Sequence, residues 1–169
     1  MTILSIDPGN IESAFCLIDM ETYRPIEFGK IENRILLEYI EEKALDIEFL
    51  VIEMIASYGM AVGKTVFDTC VWIGRFIQEY SSMLYIPNYA YIYRQEEKMN
   101  LCNSMRAKDS NIRQALIDRF GEVGTKNNKG WFYGFKKDIW AAYAVGVTFL
   151  DKQQKRIEKV YSDERNNNN

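Results

Sequence analysis

The strongest constraint on this chain lies in its first residues. Three short apolar segments, at 3–6, 11–20 and 25–31, alternate like strands with only turn-sized gaps between them. Pro8-Gly9 is a turn signal, so the first segment ends at Asp7 and the second returns beside it as a hairpin. Strands spaced this closely pair antiparallel, and the chain therefore begins as a three-stranded meander. The period then changes. Over 34–45, Ile35, Leu36, Tyr39, Ile40 and Leu45 recur at helical spacing with charges between them, and a compact apolar run at 47–52 ends at Glu53. A strand reached through a helix is placed parallel by a right-handed crossover. Helical patterns follow at 64–80 and 110–120, a short strand at 89–93, and a last helix opened by Asp138 and apolar on nearly every side to Leu150. The residues 124–137 read as a glycine-, lysine- and aromatic-rich loop. The expectation is an α/β domain with a mixed five-stranded sheet, three antiparallel then parallel strands, flanked by helices. No repeat or linker divides it, so one domain is expected over 1–160, with a frayed Asn-rich tail over 161–169.

Composition removes several function classes. The chain has no histidine, which excludes Ser-His-Asp and Cys-His catalysis and any His-ligated metal. Acid–base or metal chemistry falls to Asp, Glu, Lys, Tyr and water. Cys16, Cys70 and Cys102 are odd in number and widely spaced, as reduced core thiols in a cytoplasmic protein would be. No apolar run is long enough to span a bilayer, and the N-terminus does not read as a signal peptide. The net charge of −3 offers no bulk basic surface, so any nucleic-acid contact rests on local clusters.

Asp7 ends the first strand and Glu53 the first crossover strand, and these strands are natural neighbours. Asp138 opens a helix able to cross the same edge. Singly, each acid has an ordinary explanation: a turn cap, a solvated strand end, a charge at the favourable helix pole. Together, three carboxylates without basic partners would repel one another, and hard cations such as Mg²⁺ relieve that repulsion through oxygen ligands. Two such ions about 4 Å apart are suited to phosphodiester hydrolysis.

Three motifs then carry a resemblance: Ser5-Ile-Asp7-Pro-Gly9, Val51-Ile-Glu53, and Lys137-Asp138-Ile-Trp-Ala-Ala-Tyr-Ala-Val. In this order, over nearly the whole chain, they resemble the RuvC-type Holliday-junction resolvases of the RNase H-like superfamily, phage-encoded members above all. The resemblance implies a homodimer that nicks a four-way DNA junction symmetrically with Mg²⁺, for which Mn²⁺ can substitute. Asp7, Glu53 and Asp138 match the family's metal-binding, catalytic acids. The bacterial pattern carries a further Asp one turn later, where this chain has Ala141. Ala141 and Ala142 are expected to face the site without offering a ligand, and Asp109 is a conceivable replacement.

The basic residues extend this reading. Arg106-Ala-Lys108 matches a place where the family carries a DNA-contacting lysine. Lys126, Lys129, Lys136 and Lys137 crowd the loop leading to Asp138, and Lys64 follows the flexible stretch after Glu53. Such residues would supply sequence-independent phosphate contacts, or serve only as solvated charges. Trp131-Phe-Tyr133 in the same loop could stack on bases or fill the core. On the 64–80 helix, Val66, Cys70, Ile73, Ile77 and Tyr80 form one packing stripe, and Phe67, Val71, Trp72 and Phe76 fall outside it. Since the family dimerises through this helix, those four are the expected dimer interface. Two alternatives stay open: an RNase H-like nuclease acting on another substrate such as an RNA–DNA hybrid, and a module that binds branched DNA without cutting it.

Overall fold

The computed structural model describes residues 1–57, 59 and 61–167, the last four of these by their backbone only; Met60 in the stretch after Glu53 and the last two residues of the expected tail lie outside the described residues. Strands β1 (Thr2–Asp7), β2 (Glu12–Asp19), β3 (Pro25–Glu32), β4 (Ile47–Met54) and β5 (Tyr89–Tyr93) form one sheet in the order β3-β2-β1-β4-β5. The first three are antiparallel, and β1, β4 and β5 run parallel. Helices are α1 (Asn33–Lys43), α2 (Lys64–Ser82), α3 (Arg94–Cys102), α4 (Asp109–Phe120) and α5 (Asp138–Asn167), with a 3₁₀ turn at Ala44–Asp46. The mixed five-stranded α/β sheet is therefore as the sequence predicts. No described helix is long and apolar enough to cross a membrane.

Strand alternation sorts the core into two layers. Leu4, Ile6, Leu50 and Ile52 face α1 and α2, and Ile3, Cys16, Ile18, Val51 and Ile92 face α5 with α3 and α4 beside it. Asp7 is in phase with Ile3, and Glu53 with Val51, so both acids belong to the α5 face. The hairpin turn next to Asp7 is locked by a partly buried chain of hydrogen bonds. Gly9 N–H donates to Ser13 Oγ (3.1 Å), Ser13 Oγ donates to Asn33 Oδ1 (2.7 Å), and Asn33 Nδ2 donates back to Gly9 O (2.8 Å). Gly9 is required there, since a Cβ would stand 2.2 Å from Glu12 O.

Helix α5 lies across β1 and β2 at close range. A Cβ at Gly146 would fall 2.4 Å from Ile18 Cδ1 and 2.9 Å from Ser5 Oγ. Farther along, Asp151 accepts from Arg119 (2.7 and 2.8 Å), Asn100 (2.7 Å) and Tyr23 Oη (3.1 Å), tying α4, α3 and the hairpin end to one point on α5. The helix then continues to Asn167, well past Leu150, where its apolar pattern stops.

The structure adds one element that the sequence pattern does not reveal and corrects two expectations. Residues 94–102 form helix α3, which the polar run Arg-Gln-Glu-Glu-Lys-Met-Asn conceals; Glu96 Oε2 caps it by accepting from Tyr93 N–H at 2.7 Å. The inward stripe of α2 is Thr69, Ile73, Phe76 and Tyr80. Phe76 is thus fully buried against the sheet and takes no part in the outer face, which carries Phe67 and Val71, with Trp72 half-buried over Phe76. Ala142 is likewise fully buried, in the core beneath α5.

Candidate active site

The carboxyl ends of parallel strands are where open α/β sheets bind ligands, and here three such ends meet. β1 delivers Asp7, β4 delivers Glu53 in the register that pairs Ile6 with Ile52, and β5 leads directly into Arg94. Asp138, at the start of α5, comes over from the side. A cleft of about 870 Å³ collects Asp7, Glu53, Arg94, Asp109, Arg113, Lys137, Asp138 and Ala141. The three acids predicted from sequence therefore line one cleft, and Ala141 lines it without a ligand atom.

The electrostatics are those of crowded, buried carboxyls. Burial, then the charges of Glu53 and Asp138, push the Asp7 carboxyl from 3.8 to about 8, and the neighbouring Glu53 carboxyl adds to the rise. Burial also raises Glu53, against the lowering pull of Arg94. Asp138 is engaged differently: Lys30 Nζ donates to its Oδ2 at 2.6 Å. Register explains how Lys30 arrives. One row across the sheet reads Lys30, Ala14, Asp7, and the small Ala14 leaves the lysine room to reach α5.

A fourth carboxyl, Glu97 on α3, is fully buried behind the cleft. Burial and the charge of Glu53 raise it to about 9, with Arg94 opposing. Its Oε2 accepts from Arg94 Nη1 at 2.5 Å, and its Oε1 has no hydrogen-bond partner among the described residues.

The donor set suits a hard divalent cation at Asp7 and Glu53, two half-buried carboxyls at neighbouring strand ends, where a metal would displace the proton that the raised Asp7 carboxyl holds. It is not a finished cage: among the described residues no three acidic side chains are placed to hold one metal ion, and Asp138 is paired with Lys30.

Of the predicted basic residues, only Lys137 lines this cleft. Arg106 and Lys108 are exposed just before α4, Lys64 is exposed at the start of α2, and Lys126, Lys129 and Lys136 are exposed on the loop. Lys129 Nζ sits 5.3 Å from the Tyr133 ring centroid. Trp131 and Phe132 belong to the core: Phe132 is fully buried, and Trp131 stacks on Phe120 at 5.4 Å while donating to Tyr143 Oη. Lys30, Arg94, Glu97 and Arg113 are not among the residues that sequence reasoning selects. A lysine in phase with Phe28 on the inner side of β3, and an arginine directly after a parallel strand, are signals in the sequence for the first two.

No family model matches the chain, and no curated protein matches it in sequence. Solved structures do match in fold. The Thermus thermophilus RuvC structure is 12% identical with a TM-score of 0.67, over 92% of this chain and 97% of that one. T. thermophilus RuvC in complex with a Holliday junction substrate is 12% identical with a TM-score of 0.61, over 88% of this chain and 91% of that one. The yeast mitochondrial Holliday junction resolvase Ydc2 is 13% identical with a TM-score of 0.56, over 95% of this chain and 85% of that one. The chain has the RNase H-like fold of these RuvC-type resolvases.

Proposed function

We propose that this chain, with the fold of the RuvC-type resolvases, is a Mg²⁺-dependent endonuclease that resolves four-way DNA junctions by paired nicks and acts as a homodimer in the cytoplasm. The observation that carries the reading is that Asp7, Glu53 and Asp138 line one cleft at the carboxyl edge of a RuvC-like sheet. Mg²⁺, when bound, activates a water and stabilises the leaving oxygen of a phosphodiester. Asp7 and Glu53 would hold it, and Asp138 would join on release from Lys30. Lys137 and Arg113 at the cleft wall, and Arg106, Lys108, Lys126, Lys129, Lys136 and Lys64 outside it, supply positive charge along the approach.

The test is incubation of the protein with labelled four-way junction, RNA–DNA hybrid and single strand, with and without Mg²⁺. Preferential, Mg²⁺-dependent cutting of the junction is expected. Preferential cutting of the hybrid favours the RNase H-type alternative, and tight junction binding with no cutting under any divalent cation favours a binding module.

Metal affinity follows from the cleft. Ala141 stands one turn after Asp138 on the same side of α5, so Ala141→Asp adds an oxygen ligand. Lys30→Met frees Asp138. Each is expected to lower the Mg²⁺ concentration for half-maximal binding by about tenfold, read by calorimetry on the DNA-free protein. The opposite finding, two Mg²⁺ held tightly by the unaltered protein, would show that the site is already complete.

The outer face of α2 is the proposed dimer surface, with Phe67 and Val71 exposed at 59% and 62%. Val71→Glu is expected to give a folded monomer, by light scattering, that loses paired nicking, because two symmetric cuts need an isologous pair of sites. An unaltered protein that is monomeric while resolving junctions contradicts this.

A further inference from the structure

Arg94 is a cation at the centre of an acidic cleft, and the metal reading makes no use of it. It is the first residue of α3, set at the carboxyl end of β5, and lines the cleft together with Asp7 and Glu53. Its guanidinium bonds two carboxylates of opposite character. Nη1 donates to Glu97, whose side chain is 0% exposed, and Nη2 donates to Asp109, whose side chain is 90% exposed.

The two partners therefore do different work. Glu97 is fixed in the core and cannot follow the guanidinium outward, so it sets where Arg94 points. Asp109 opens α4 and projects into water, where an ion pair contributes little and yields readily to competition. An exposed carboxylate on a guanidinium fork occupies the position that another oxyanion with similar geometry can take, and phosphate fits that fork with two parallel charge-assisted bonds.

We infer that Arg94 is the residue that grips a DNA phosphodiester in this cleft, braced from behind by Glu97 and covered in the free protein by Asp109, which the incoming phosphate displaces. This rests on the reading of the cleft as a nuclease site. Arg94 donates hydrogen bonds to non-bridging phosphate oxygens and breaks no bond itself. Placed beside Glu53, it steadies the charge that builds on those oxygens as the phosphodiester is attacked. Asp109 meanwhile keeps the cleft from holding inorganic anions when no DNA is present.

The experiment measures junction binding without divalent cation across a salt series, and single-turnover cleavage with Mg²⁺ at saturating junction. Arg94→Gln is expected to lower the salt slope by about one and to slow saturated cleavage by about 100-fold. Arg94→Lys should restore the slope and not the rate, since an ammonium cannot form the fork. Asp109→Asn, a change at an exposed site, should tighten junction binding by about threefold or more. Arg94→Gln with unaltered slope and saturated rate, or Asp109→Asn with unaltered affinity, overturns the inference. If Arg94→Gln fails to fold, Asp109→Asn decides alone. An unaltered protein that cuts junctions while both variants match it defeats only this inference. An unaltered protein that neither binds nor cuts any branched DNA defeats the nuclease reading beneath it.

Discussion

Asp7→Asn is expected to slow junction cleavage by about a thousandfold or more while leaving junction binding within about threefold of the unaltered protein. Losing one of two buried carboxyls from a metal site removes several kcal/mol of transition-state stabilisation, and about 4 kcal/mol corresponds to a factor of a thousand. The same variant should be more stable than its parent when no metal is present. Asp7 is raised from 3.8 to about 8, so the folded protein holds a proton that the unfolded chain releases above pH 4. Stability of the metal-free parent therefore falls as pH rises from about 4 to 8, and levels off above 8. Asn keeps a neutral hydrogen-bonding side chain there, so the variant's thermal midpoint should not fall through that window, and the gap at pH 8.5 should be on the order of a few kcal/mol. Metal binding reverses the sign: Mg²⁺ must displace the Asp7 proton, so affinity and cleavage in the parent rise with pH towards about 8. Melts of both proteins at pH 5 and 8.5, with and without Mg²⁺, check all of this. A cleaving Asp7→Asn, or a parent whose metal-free stability rises with pH across this window, contradicts it.

Gly146→Leu is expected to be the most destabilising single change on α5. Even a Cβ at that position would meet Ile18 Cδ1 at 2.4 Å and Ser5 Oγ at 2.9 Å, and both are buried between the helix and the sheet. The rest of a leucine has nowhere to go unless α5 lifts from β1 and β2. Overpacking of this kind costs about 3 kcal/mol, which in a chain of this size lowers the midpoint by roughly 6–12 °C. The damage should reach the chemistry, because lifting α5 carries Asp138 away from Asp7 and Glu53. Gly146→Ala is the graded control. It gains about 1 kcal/mol of helix propensity and loses more to the contact. A Gly146→Leu protein melting with its parent would mean that α5 does not approach the sheet this closely.

Much of this site is legible in the residues themselves. The Pro-Gly turn after Asp7, the apolar run that stops at Glu53 and the helix that opens at Asp138 each announce an element boundary, and chemistry-bearing residues in an α/β sheet gather at such boundaries. What escapes is whatever depends on partners across the fold. Phe76 cannot be assigned from α2 alone, because the helix is apolar on two sides, and only the sheet decides that the stripe through Thr69 and Ile73 faces inward. Helix α3 carries almost no apolar periodicity, so Arg94 and Glu97 pass for surface charges until β5 and α4 close around them. Lys30 is likewise one more charge on an edge strand until register sets it opposite Ala14 and within reach of Asp138.

The acids of the cleft come from opposite ends of the described chain, and this bears on how the protein is made. Asp7 belongs to β1, which is synthesised well before α5, the helix that carries Asp138. One face of the sheet can be covered early by α1 and α2, but the other waits for α5, which lies over β1 and β2 and is fastened through Asp151 to α3, α4 and the hairpin. A partly synthesised chain therefore has an open hydrophobic face and no gathered acids. Covering that face and assembling the cleft are a single late event, so in a nascent chain the three acids do not line one cleft until α5 has been translated and has docked.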